Sequence, residues 1–82
     1  MNVSTVAAAA TATRAIYFAK WSTSELVHRM AMNELEGTPD ARIAQMWCAL
    51  SVKVGGMVAA ANAVWAEKCA IIAERSIQMA AA

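Results

Sequence analysis

The stretch "NELEGTPDARI", residues 33–43, decides the fold. Gly37 can take the left-handed conformation that ends a helix, and Thr38 is placed to cap the next one. Pro39 suits a first helical position, where its missing N–H costs nothing, and Asp40 complements the positive end of a helix dipole. One helix therefore stops and another starts within a few residues. The expected fold class is all-α: an antiparallel helical hairpin with a long second helix, packed into a higher-order helical assembly.

The rest of the composition agrees with helices. The chain has 82 residues, enough for a single small domain, and 60% of them are apolar. Pro39 is the only proline and glycine is scarce, so an all-β fold would lack turns. The net charge of +1 offers no Lys/Arg cluster to neutralise phosphates, which excludes nucleic acid as a partner.

Working forward from the turn, the second helix is expected over about residues 39–78. At 100° per residue, Arg42, Gln45, Lys53, Glu67, Glu74, Arg75 and Gln78 fall in one polar sector. Ile43, Trp47, Val54, Ala61, Trp65 and Ile72 lie opposite. One periodicity held this long predicts a single helix of roughly 60 Å. Gly55-Gly56 interrupts it, marking either a kink or a place where another backbone comes close. The apolar sector is wider than one antiparallel neighbour can cover.

Working backward, the first helix is expected over about residues 8–36. Ser22 and Glu25 have capping-box spacing, which either restarts the helix there or decorates a continuous one. Leu26, Val27, Met30, Ala31 and Leu35 form an inner stripe, with Glu25, Arg29, Asn33 and Glu36 facing outward. Ile16, Tyr17, Phe18 and Trp21 place four large side chains around most of the helix, more than a hairpin can cover. The hairpin seam is expected to join Val27, Met30 and Leu35 to Ile43, Trp47 and Leu50.

Chemistry is sparse. His28 is the only histidine and has no cysteine at helical spacing, so it is expected at a solvent edge rather than in a metal site. Gly55-Gly56 follows no strand and is not a phosphate loop. Glu67 and Glu74, with Lys68 and Arg75, read as a solvated ionic stripe. No nucleophile–base pair can be assembled, and neither enzymatic activity nor a cofactor is expected. On one continuous helix, Cys48 and Cys69 would stand roughly 30 Å apart, beyond the limit of about 7 Å for a disulfide. Residues 43–66 approach the apolarity of a membrane span, but Lys53 at mid-bilayer would cost about 3 kcal/mol. The amino terminus shows no basic region followed by a compact apolar one, so no cleavable signal peptide is expected.

An isolated hairpin this apolar would leave large patches wet. The chain is therefore expected to associate with itself, to lie on an apolar surface, or to fold as an adaptor or chaperone on a dedicated partner. The subunit interface is expected at Ile16, Phe18, Trp21, Val54, Gly55, Gly56, Ala61 and Trp65, with Asn62 fixing register between packed helices as buried polar residues do in coiled coils.

Pro39-Asp40-Ala41, Leu50-Ser51, Asn62, Val64 and Lys68 match at the same spacings the turn and second-helix pattern of type III secretion needle subunits, which the chain resembles over about thirty residues. That resemblance implies a secreted subunit of a helical tube, exported without a cleavable signal, with other secretion-system components as partners. MVAAANAVWAEKCAIIAER, residues 57–75, is similar to the Ala-rich amphipathic repeats of phasins, at Ala60-Ala61-Asn62, Ala66-Glu67 and Ala73 to Arg75. The phasin resemblance implies a cytoplasmic coat on an apolar granule.

Overall fold

One extended residue, Ser22 (φ −68°, ψ 157°), opens the first complete helix in the computed structural model, which describes residues 17–37 and 40–81. Its hydroxyl accepts the Glu25 N–H at 3.1 Å, satisfying one of the donors that a helix start leaves free. The alternatives at Ser22 thus resolve as a restart: Lys20 and Trp21 donate back to Tyr17 and Phe18 in a tight turn, and α1 runs from Thr23 to Glu36. The expected helix from about residue 8, and Ile16 with it, lies outside the described residues.

Gly37 ends α1 in the left-handed conformation (φ 67°, ψ 19°), its N–H donating to the Asn33 carbonyl. Thr38 and Pro39 lie outside the described residues. The second helix begins later than expected. Asp40 is not in a first helical turn; its Oδ1 accepts the Arg42 N–H at 2.9 Å and its carbonyl accepts the Ile43 N–H at 3.1 Å. That local turn holds residues 40–42 out of the helix, so α2 spans Ile43–Val54.

The single long second helix is corrected at Gly55-Gly56. Both glycines have positive φ, 90° and 138°, and both N–H groups converge on the Ser51 carbonyl. α2 stops there and α3 starts afresh, spanning Met57–Ala81 at 105° to α2. Of the two readings of this pair, the kink is the one the chain adopts. A Cβ built on either glycine meets nothing within 4 Å among the described residues, so none of them approaches closely. Cys48 and Cys69 now sit on different helices, both exposed and free.

The three helices share one core. α1 contributes the expected stripe of Leu26, Val27, Met30 and Ala31, α2 contributes Met46, Ala49 and Leu50, and α3 contributes Ala60, Val64 and Ile71. Leu35, Ile43 and Trp47 pack at its edge. Phe18, expected at a subunit interface, is 1% exposed in this core instead. Trp21 meets the Phe18 ring edge-on at 5.3 Å, and the Arg42 guanidinium lies 5.7 Å from the centre of that same Phe18 ring. The segment before α1 is thereby tied to the turn before α2.

Gly37 has open space around its missing Cβ, so substitution there acts through backbone conformation alone. Gly37→Val should lower stability by about 1–2 kcal/mol, and Gly37→Asn, which tolerates the left-handed region, by clearly less. Thermal unfolding of the two variants checks this; equal melting temperatures would show that α1 does not end at Gly37.

Candidate functional site

α3 buries a narrow line. Ala60, Val64 and Ile71 face the core with Ala63 at its edge, and charged side chains flank them. Glu67 Oε1 lies 3.8 Å from His28 Nδ1, and Lys68 Nζ lies 2.9 Å from Glu34 Oε2. Arg75 reaches the Met32 sulfur at 3.7 Å. These residues, expected on a solvated stripe, instead bridge α3 to α1. Such half-exposed pairs are worth on the order of 1 kcal/mol at most, so they orient α3 more than they hold it.

The apolar side of α3 consequently faces away from the chain. Val58, Trp65, Ile72, Ile77 and Met79 are 77%, 64%, 50%, 70% and 79% exposed. Ala61 and Asn62 are exposed with them. Ala61 and Trp65, expected at a subunit interface, are thus on the outside of this chain, and Ile72, grouped with them on the apolar side, is exposed beside them. Lys68 lies 5.3 Å from the Trp65 ring centre and steadies that indole at the border of the face.

The other expected interface residues divide. Val54 packs at the core edge and Trp21 against Phe18, so both serve the chain's own interior. Gly55 and Gly56 form the bend. Asn62 is not buried between helices of this chain, so any register it sets is not intramolecular. Val58, Cys69 and Met79 belong to the outward face without having been expected there; their spacings of four and seven residues from Trp65 and Ile72 are the signal that marks them.

At the bend the face widens into an apolar groove of about 640 Å³, lined by Ala44, Trp47 and Cys48 of α2 with Met57, Val58 and Ala61 of α3. A second groove, of about 850 Å³ and mixed lining, runs beside α1, between His28, Arg29 and Glu36 and the Asp40–Arg42 turn. Arg42 donates side-chain and backbone hydrogen bonds to Asp40, and they hold its carboxyl below the ordinary value. His28 is at the solvent edge, as expected, with a side chain 60% exposed. Among the described residues no three His, Cys, Asp or Glu side chains are grouped to hold a metal. No single described helix is long and apolar enough to cross a membrane; α2 and α3 reach that composition only together, across their 105° bend.

No family model matches the chain, and neither a curated protein nor a solved structure matches it.

A lowered folded-state pKa at Asp40 means that its stabilisation is present above the ordinary value of 3.8 and is lost as pH falls through the folded value. Asp40→Asn should melt below the wild type at neutral pH, and the gap should narrow as pH falls below about 4. Melting curves from neutral to acid pH check this; a gap that stays constant would show that the Asp40–Arg42 turn does not stabilise the fold through its charge.

Proposed function

We propose that this protein is a self-assembling structural subunit whose copies associate through the outward face of α3. The observation that carries this reading is the exposure of Val58, Trp65, Ile72, Ile77 and Met79 on one helix that directs its charges inward. With a large side chain contributing on the order of 100 Å², Val58, Trp65, Ile72 and Met79 and the small residues between them present roughly 500 Å² of apolar surface per copy on one face. Two such faces together approach the size of the smaller specific interfaces, about 1,200 Å² in total. A monomer would leave a patch of this size in water, which is what marks interaction sites on soluble proteins.

The hairpin of the first two helices and the higher-order helical assembly belong to the same proposal. α1 and α2, joined by the short Gly37–Arg42 connection, form the base that carries α3. The narrower reading as a secretion-needle subunit drew on a continuous second helix, and the bend at Gly55-Gly56 leaves the outward face as its main support. A granule coat and a partner-dependent adaptor would use the same face, and solution behaviour separates them.

The wild-type chain should sediment well above its 8.7 kDa monomer mass at micromolar concentration without lipid. Losing one large anchor commonly costs about 2 kcal/mol of association, a factor of roughly thirty, so Trp65→Glu should shift the protein toward monomer with its helix content retained. A folded wild-type monomer overturns self-assembly. If that monomer then coats added apolar droplets, the coat reading takes its place.

A further inference from the structure

The outward face of α3 has a finer order than general apolarity. Val58, Asn62, Trp65, Cys69, Ile72, Ser76 and Met79 follow one another at spacings of four and three, without a break, for three heptads. That is the seam of a two-stranded coiled coil, with the large apolar residues every seventh position and the small or polar ones between them. All seven are exposed. The buried line of Ala60, Val64 and Ile71 lies on the opposite side of the helix, so a partner could seat on the seam without disturbing the core. A straight α-helix drifts about 20° per heptad relative to this pattern, and left-handed supercoiling of two helices removes the drift.

We propose that α3 pairs with α3 of a second copy as a parallel, in-register coiled coil over residues 58–79, an inference that rests on the self-assembly reading and names its first contact. Three observations choose a second copy in this orientation. The area is suitable: the seam and its flanks supply roughly 500 Å² per copy, near the smaller specific interfaces of about 600 Å² per partner. The polar positions are satisfied: Ser76 Oγ already donates to the Ile72 carbonyl at 3.0 Å, and parallel pairing sets Asn62 against its counterpart, where two amides can bond. The antiparallel register that sets large residues against small would bury Asn62 against Ile72 with no partner.

The third observation is charge. One flank of the seam is Ala59, Ala66, Ala73 and Ala80, and the other is Ala61, Lys68 and Arg75. In the parallel pair Lys68 lies across from Ala73 of the second copy, and Arg75 from Ala80. In the antiparallel pair the two Lys68 ammonium groups, each bonded to Glu34 of its own copy at 2.9 Å, would be brought together near the centre. The Asn62 register role therefore operates between copies, since within the chain Asn62 is exposed.

The two native cysteines give the test. Parallel pairing brings Cys69 to its counterpart across the seam, within the Cα separation of about 4.4–6.8 Å that a disulfide requires; the antiparallel register displaces them beyond it. Full-length Cys48→Ser protein, whose only thiol is Cys69, would be treated with diamide, which accepts the two thiol hydrogens as the disulfide forms. Its covalent dimer should appear ~100-fold faster than in Cys69→Ser protein, because pairing raises the effective thiol concentration from micromolar toward millimolar. Asn62→Leu in the Cys48→Ser background should still associate but lose much of this rate as other registers and larger oligomers become accessible. Sedimentation is run on the same unoxidised samples. Association above the monomer mass with equal cross-linking rates overturns the parallel seam and leaves self-assembly standing. A monomer in both measurements overturns the two together.

Discussion

The rest of the structure depends on two adjacent glycines held at positive φ. Gly55 and Gly56 adopt conformations that side-chain-bearing residues rarely reach, and together they converge two N–H groups on the Ser51 carbonyl. Without that stop, the apolar and polar positions of residues 43–78 would have continued in one phase. With it, α3 leaves at 105° and is free to rotate about its own axis. It settles with Ala60, Val64 and Ile71 inward and with Glu67 and Lys68 reaching α1. Of its large apolar side chains only Val64 and Ile71 turn inward, and Val58, Trp65, Ile72, Ile77 and Met79 are left outside.

The local punctuation was legible. The Ser22 cap, the Gly37 stop and the stripe of Leu26, Val27, Met30 and Ala31 each follow from one turn of helix or less, where neighbouring residues decide the outcome. The Asp40 turn was less so, because a residue that suits a helix start suits a turn closed on Arg42 equally well. The long-range phase could not be read. Periodicity counts residues, and two glycines outside helical geometry break the count, so the side of α3 that meets the core is Ala60, Val64 and Ile71 and not the apolar line through Trp65 and Ile72. Phe18 moved the other way, because a core built by three helices has room for an aromatic that a two-helix hairpin would leave uncovered.

The outcome is an elongated molecule with extents of 57 × 25 × 20 Å and a radius of gyration of 14.9 Å, against about 12 Å for a compact chain of this length. Beyond Ile71, residues 72–81 of α3 have no buried side chain. A domain this small is marginally stable even when compact, and a projecting helix adds surface without adding core. Association through that helix would supply the missing burial, linking the small interior, the outward apolar face and the structural role proposed for it.

The bend can be measured directly between the two native cysteines. Spin labels on Cys48 and Cys69, in chains diluted into unlabelled protein, report the distance across Gly55-Gly56 by pulsed electron resonance. Helices meeting at 105° place the two backbones about 20 Å apart, whereas one continuous helix would separate them by roughly 30 Å. A distribution centred near the shorter distance is the predicted result. One centred near the longer distance would mean that the second helix is unbroken, and that its apolar face is not turned outward by the glycine pair.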